Sequence, residues 1–456
     1  MEARYLSQPR TLKRSLSLFH VIFFGLAYMA PLTIFTTYGV ATQASHGMLP
    51  AAYIVALIAM AFTAYSYGRM VKVYPMSGSA YTYTQKSLNS HAGFLVGWAI
   101  LMDYLFLPMI NYLVAALYLA IYFPSVPFWV WVISFIVITT VLNILGIKLA
   151  TNINTLFVIY QFFVLVVFVV LSIKGILHGM GTGTLVSIKP FFNPDVPLSS
   201  VMAGASLLCL SFLGFDAVST LSEETKNPDK TIPKAILLVT LIGGALFIFI
   251  SYVGHMVYPD YASFKNPDTA AYEMIEYVGG NLLTALFTAA SLVGFLASAV
   301  AAHGSVTRLL YAMGRDSVLP QKLFGSLHPR FKTPVFNIVL VGVLSLTALF
   351  VDLVTATSFI NFGALVAFTF VNLSVIAHYY VRNRRRSPLD TLRYLILPLI
   401  GAGFTVWLWT SLDKHSLILG GVWALCGLLY LMYLTKMFTK RPPELNFDEV
   451  DLEKDN

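Results

Sequence analysis

Long apolar runs recur from one end of this chain to the other and constrain its fold more than any other feature. The chain is 57% hydrophobic and only 11% charged, whereas a soluble domain is about 25% charged. Apolar runs of about 18 residues or more are read as transmembrane helices. The sequence therefore predicts an all-α polytopic membrane protein with twelve transmembrane helices. The predicted spans are 18–43, 49–70, 93–123, 127–146, 152–175, 199–222, 234–257, 281–312, 335–352, 357–381, 393–411 and 415–437.

The basic residues predict the orientation of these spans. If the N-terminus is cytoplasmic, all but four of the 29 Lys and Arg residues fall on the inside, as the positive-inside rule requires. The even number of spans then puts both termini in the cytoplasm, with a single transmembrane domain over 1–438 and a polar tail over 439–456. The net charge of +8 thus reflects topology in a cell (inner or plasma) membrane. The expected partners are the lipid bilayer and a small molecule, with no nucleic acid, and the oligomeric state stays open.

Two of the spans are interrupted at corresponding places. Span 1 contains Gly25, Pro31 and Gly39, and span 6 carries Gly214 and Asp216 inside an apolar segment. The two lie five spans apart, as expected if spans 1–5 and 6–10 are inverted repeats. Paired interruptions of this kind are the best pointer to a transporter binding site, because unwound backbone in a membrane must line a protein cavity.

Several strings resemble a known family. These are "FLGFDAVSTLSEETKNPDKTIPKAI" (212–236), "PMSGSAYTYTQKSL" (75–88) and "VTRLLYAMGRDSVLP" (306–320). In their order along the chain, and with the spans that separate them, they resemble the amino acid–polyamine–organocation (APC) superfamily of transporters. The strings "GLAYMAPLTIF", "MDYLFLPMINYL" and "FINFGALVAFTFVNLSV" look most like its bacterial putrescine-importer branch.

The resemblance implies a five-plus-five inverted-repeat fold of the APC/LeuT type. Repeat one would cover 18–175 and repeat two 199–381, and two extra helices would occupy 393–437. It also implies alternating access around a site at the two interrupted spans, driven by an ion gradient or by exchange.

Span 1 supplies the first group of candidate site residues. The resemblance places Tyr28, Ala30, Pro31 and Thr33 at the cavity. Pro31 lacks an N–H and disrupts the preceding turn, so the amides that follow can meet an anionic group; in the family this break holds the substrate carboxylate. The alternative is a simple proline kink.

Span 6 supplies the second group. Carbonyls released at Phe212, Leu213 and Gly214 can accept hydrogen bonds from a substrate ammonium, and the Phe212 ring can act as a lid or a cation–π face. Lipid-facing packing is the alternative. Asp216 is costly inside a membrane. Its candidate roles are counter-charge for a cation, proton site, or cap of the second half-helix.

Span 3 supplies the third group. The resemblance places Tyr104 and Asn111 in the substrate lining, and tyrosine offers an amine both a hydroxyl and a ring face. Core packing is the alternative for Tyr104. Asp103 is a candidate for coupling or gating, and it is expected to face the bundle and to pair with another helix.

Four further residues are candidates for coupling or gating. Glu223 and Glu224, near the lysines of the following loop, predict gate or loop ion pairs. His303 can carry a proton, or it can serve as an interhelical hydrogen bonder. Gln161 stands where some relatives have a lysine, which leaves the coupling mechanism open.

The substrate is predicted to be an amino acid, imported by proton- or cation-coupled transport. A putrescine importer or an exchanger is the alternative. Putrescine ranks second because a diamine needs two acceptors, and Thr36 stands where the putrescine branch has an aspartate. A membrane nutrient sensor is the alternative outside transport. No phosphate loop or metal-ligand cluster appears, so neither an enzyme nor a cofactor is expected; the coupling ion is H⁺, with Na⁺ as the alternative.

Overall fold

The structure is a computed structural model that describes residues 14–267, 270–351, 353–410, 412, 414–440 and 442–443. Most of the predicted tail at 439–456 lies outside these residues. The regular elements described are helical, apart from one isolated bridge between Leu16 and Thr225. The α-helices are α1 (Leu18–Met29), α2 (Thr33–Thr36), α3 (Tyr38–Ala44), α4 (Leu49–Val73), α5 (Ser79–Ser87), α6 (Ser90–Tyr122), α7 (Phe128–Leu145), α8 (Ile147–Leu177), α9 (Leu198–Cys209), α10 (Pro228–Val257), α11 (Ala270–Arg315), α12 (Gln321–Phe324), α13 (Val335–Leu344), α14 (Leu353–Val375), α15 (Pro388–Thr391), α16 (Leu397–Trp409) and α17 (Lys414–Leu434).

Ten helical spans among the described residues are long and apolar enough to cross a membrane. Two predicted spans are shorter than expected: span 6 is reduced to α9, and span 9 to α13 with a 3₁₀ extension over Ser345–Leu349. An all-helical, polytopic membrane architecture is therefore confirmed. The count of twelve and the five-plus-five repeat stay predictions.

The interruption predicted in span 1 is present between α1 and α2. Helix α1 ends at Met29, and Ala30 adopts a left-handed φ of 50°. The Thr33 hydroxyl donates to the Met29 carbonyl at 2.8 Å and so replaces a helical donor at the break. The missing N–H of Pro31 accounts for the position of the interruption.

The interruption in span 6 is longer than predicted. After α9 come a 3₁₀ turn over Leu210–Phe212, an irregular stretch, and a 3₁₀ helix over Ala217–Glu224. The expectation of an α-helical second half is thus wrong. Three hydroxyls in this segment donate to carbonyls three residues back, which supports the tighter 3₁₀ winding. They belong to Ser219, Thr220 and Ser222.

Close helix packing brings both breaks into the middle of the bundle. Helix α4 packs along α10, where a Cβ added at Gly244 would lie 2.4 Å from Leu57. Helix α6 packs along α14, where a Cβ at Gly363 would lie 2.7 Å from the backbone nitrogen of Asp103. Helix α1 contacts α8, α10 and α11. The breaks are therefore enclosed by protein, as unwound backbone in a membrane requires.

Candidate substrate-binding site

Asp216 is the buried acid at the second break. Its carboxylate accepts the N–H of Gly214 at 3.1 Å and the hydroxyl of Tyr104 at 2.8 Å. Gly214 has a φ of 120°, and a Cβ there would lie 2.6 Å from the Tyr28 ring. Among the described residues Asp216 makes no side-chain cap to the 3₁₀ helix that follows. The carboxylate is therefore directed to the turn before it and to α6.

A second buried acid, Asp103, lies within electrostatic range of Asp216. It is 2% exposed, and within the described part of the chain its Oδ1 has no hydrogen-bond partner. Of the ion pairs that the structure describes, none involves either carboxylate. Among the described residues the interior thus holds two neighbouring acids that form no ion pair with a basic side chain.

Three tyrosines surround the acids. The Tyr28 and Tyr104 rings meet edge to face at 6.3 Å, and Tyr67 of α4 lies within electrostatic range of both carboxylates. The Tyr28 hydroxyl is buried without a partner among the described residues, and the Tyr67 hydroxyl, beside Ser79, keeps lone pairs that can accept. Buried polar atoms are normally hydrogen-bonded. These hydroxyls and Asp103 Oδ1 are therefore available to a ligand that donates hydrogen bonds.

Helix α6 contributes one more acceptor. Pro108 lies inside this helix. Because proline lacks an N–H, the carbonyl of Tyr104, four residues earlier, loses its helical donor. The site therefore combines carboxylate, phenol and carbonyl oxygens.

The backbone N–H groups of Leu32 and Thr33 at the first break are bound within the protein. Gln161 of α8 accepts the N–H of Leu32 at 3.4 Å, and the N–H of Thr33 donates to the carbonyl of Ala30 at 2.8 Å. Pro31 has no N–H to offer. The amides expected to receive a substrate carboxylate therefore already have acceptors.

Asn111 belongs to this first break and not to the acid pair. Its side chain donates to the Ser298 hydroxyl at 3.1 Å and to the Leu107 carbonyl at 2.9 Å. Ser298 in turn donates to the Tyr28 carbonyl at 2.9 Å. This relay ties α6 and α11 to the end of α1.

Phe212 and Leu213 contribute surface near the second break. The Phe212 ring is fully buried and packs edge to face on Phe247 of α10 at 5.6 Å. Leu213 is half-buried and packs against the core. In this conformation Phe215, which the sequence interpretation did not single out, is the aromatic residue beside Tyr67, at 5.9 Å.

Glu223 and Glu224 form ion pairs with helix α11, of which the Glu224 pair is buried and the Glu223 pair is partly buried. Arg315 donates to both oxygens of Glu223, at 2.7 and 2.9 Å, and Arg308 pairs with Glu224. Burial alone would raise the pKa of Glu223, but the Arg315 guanidinium and the Ser77 N–H outweigh it and hold that pKa below its usual value. The ion pairs were expected; their partners are arginines of α11 and not the lysines of the adjacent loop.

His303 has both ring nitrogens engaged. The Ile338 carbonyl only accepts, so Nε2 donates to it at 2.9 Å, and Nδ1 faces the Tyr112 hydroxyl at 3.1 Å. This is the arrangement of an interhelical hydrogen bonder. No cluster of three His, Cys, Asp or Glu side chains able to hold a metal occurs in the described ranges.

Sequence reasoning did not identify Tyr67, Ser298 or the two arginines of α11. Tyr67 and Ser298 sit in apolar helices without any motif, so no local signal marks them. For Arg308 and Arg315 a signal existed, because basic residues near a membrane helix beside two unpaired acids predict pairing.

Comparison with known proteins covers almost the whole chain. The family model for amino acid permeases matches residues 20–433. The low-affinity putrescine importer PlaP of Escherichia coli K12 is 46% identical over 95% of this chain and 96% of its own length. The methylthioribose transporter and the branched-chain amino acid permease BcaP of Bacillus subtilis are 28% and 27% identical, each over 94% of this chain and 95% of their own length.

Proposed function

The chain belongs to the amino acid permease family, and from that premise we propose that it imports a small diamine of the putrescine class by secondary active transport. This choice replaces the amino acid favoured by the sequence interpretation. The similarity to PlaP supports it, because that relative aligns nearly from end to end.

One observation carries the proposal: the pair of buried acids without a basic partner. An unpaired carboxylate inside a membrane protein is costly and is retained where it has a function. A diamine brings two ammonium groups, each with several N–H donors. Asp216 and Asp103 offer two anionic acceptors, and the three tyrosines offer ring faces and hydroxyls beside them.

The first break weighs against an amino acid as substrate. A free amino acid needs donors for its carboxylate, and the amides nearest the break are bound by Gln161 and Ala30. The absence of an acid at position 36 also no longer argues against a diamine. Thr36 is exposed and its hydroxyl donates to the Thr33 carbonyl, so it lies apart from the buried acids.

The gate of this transporter is the end of the bundle predicted to face the cytoplasm. There the ion pairs of Glu223 and Glu224 join the 3₁₀ helix to α11, and backbone bonds from Ser15 and Leu16 reach the Glu224 carbonyl. In the proposed cycle these contacts separate when the site opens inward. A proton or cation gradient drives the cycle, in the inner membrane, with both termini in the cytoplasm.

Uptake by the purified protein in proteoliposomes tests the proposal. Labelled putrescine should accumulate in a saturable way under an imposed pH or sodium gradient, and excess unlabelled putrescine should compete far better than leucine, serine or glutamate. Stronger competition by an amino acid would overturn the diamine assignment. Failure of well-folded protein to take up any amine or amino acid would instead favour a sensor.

A further inference from the structure

A basic cavity lies between α4 and α10, outside the proposed transport site. It has a volume of about 380 Å³ and opens at the end of the bundle that the charge pattern predicts to be cytoplasmic. Its lining includes four cationic side chains and one carboxylate, Asp229. The cations are Arg69, Lys72, Lys230 and Lys234.

The four cations of this cavity form no ion pair among the residues that the structure describes. The ion pairs in the described part of the chain join Arg308 to Glu224 and Arg315 to Glu223, and none involves the cavity. Lys72, Lys230 and Lys234 are exposed. The residues that line the cavity therefore carry an excess of positive charge, as binding of an anionic ligand requires.

Arg69 is held in place by aromatic rings. Its guanidinium lies 4.8 Å from the Tyr65 ring centroid and 5.5 Å from that of Tyr394. The Tyr65 hydroxyl donates to the Arg393 carbonyl at 3.1 Å, which fixes that ring. The ring contacts orient the guanidinium without neutralising it, and its planar fork has five N–H donors, so a phosphate oxygen can be bound as well as Tyr65.

The surroundings identify the source of that phosphate. The remaining wall is apolar and includes Ala64 and Leu237. Leu237 and Leu241, one turn apart along α10 toward the membrane interior, are 44% and 41% exposed. A groove with a basic rim and an apolar continuation along the helices fits a headgroup with its acyl chains, whereas a free anion needs only the rim.

We infer that this cavity binds the phosphate headgroup of an anionic phospholipid from the cytoplasmic leaflet. Basic side chains near a membrane surface each contribute about 1 kcal/mol to binding of anionic lipid, which is about fivefold in affinity. The inference does not depend on which compound is transported.

Binding of short-chain lipids to the purified full-length protein tests this inference. Dioctanoyl phosphatidylglycerol should bind at least about tenfold more tightly than dioctanoyl phosphatidylcholine, because the choline cation opposes the basic rim. The double variant Lys72→Gln/Lys234→Gln should lose about fivefold in phosphatidylglycerol affinity for each charge removed. Restoring charge with Lys72→Arg/Lys234→Arg should restore the affinity.

A matched control uses two exposed lysines outside the cavity but on the same predicted side. Lys148→Gln/Lys322→Gln removes the same charge and should leave the affinity unchanged. Equal losses in the control and the cavity variant, or no loss in the cavity variant, would overturn the inference. So would sn-glycerol 3-phosphate or inorganic phosphate binding as tightly as phosphatidylglycerol, because the site would then serve a soluble anion.

Discussion

The two helix breaks differ in how their polar groups are satisfied. At the first break, neutral side chains do so: Gln161 accepts the Leu32 N–H, and Ser298 donates to the Tyr28 carbonyl. At the second, the buried carboxylate of Asp216 is bound by a backbone amide and a tyrosine, and no cation reaches it within the described residues.

This difference indicates a division of labour. A break closed by neutral partners is electrostatically complete and needs no ligand. A buried acid without a cation is incomplete, because two hydrogen bonds offset only part of the desolvation cost of its charge, and an opposite charge or protonation must offset the rest. We therefore expect substrate or coupling ion to act at the second break, and the first to provide a rigid support.

The largest effect is expected from Asp216→Asn. Losing the charge that faces a desolvated ammonium costs about 3 kcal/mol, so putrescine uptake should fall by about 100-fold. Initial uptake rates in proteoliposomes measure this, with Asp229→Asn, which removes an exposed carboxylate, as the control. Normal transport by Asp216→Asn would show that the charge is not needed. The proposed difference in function between the two breaks would then be wrong.

Gly214→Ala tests the contact between the two breaks. A Cβ at Gly214 would lie 2.6 Å from the Tyr28 ring, so we expect the substitution to push the breaks apart. Gly146→Ala is a matched control, because Gly146 has the same φ of 120° but no neighbour within 4 Å of the added Cβ. Both variants share the backbone strain of about 1–3 kcal/mol.

The difference between these two variants isolates the steric clash. Gly214→Ala should unfold at a temperature several degrees lower than Gly146→Ala, and its uptake should fall by about tenfold. Similar melting temperatures and uptake rates for the two variants would mean that the breaks are not in functional contact.

Asp316 is a buried acid outside the membrane spans. Its effect on the pH dependence of the protein has to be distinguished from the effect of Asp216 at the second break. Burial raises the pKa of Asp316 to about 6, although Arg315, the Tyr81 hydroxyl and Lys86 oppose the shift. The unfolded chain releases this proton near 3.8. Stability from this group is thus complete below about pH 4 and is lost as pH rises through 6, by up to about 3 kcal/mol.

Asp316→Asn should therefore raise the melting temperature relative to wild type at pH 7 and not at pH 4. Melting curves across this range measure the effect. If the difference between the proteins does not grow with pH, the buried carboxyl is not the source. Any pH dependence of uptake that survives in Asp316→Asn then does not come from this carboxyl.

The sequence predicted the positions of both breaks, because Pro31 and Gly214 mark them directly. The resemblance placed Tyr104 in the substrate lining, but neither its contact with the second break nor its bond to Asp216 was predicted. What it missed depends on tertiary contacts. Nothing local shows that Gln161 reaches Leu32 across 129 residues, or that Asp103 and Asp216 are neighbours. The 3₁₀ winding of Ala217–Glu224 was missed because apolar periodicity does not separate it from an α-helix.

The smallest effect is expected from Gln161→Leu. The substitution leaves the Leu32 N–H buried without its acceptor, at a cost of about 1–3 kcal/mol in stability, and Gln43→Leu, on an exposed site of α3, is the control. Because the first break is a support and not a ligand site, putrescine uptake should change by no more than about threefold while the melting temperature falls. Uptake reduced as severely as in Asp216→Asn, with little loss of stability, would place the first break in the substrate site as well. Both breaks would then be ligand sites, and Gln161 would bind substrate and not serve as a structural acceptor.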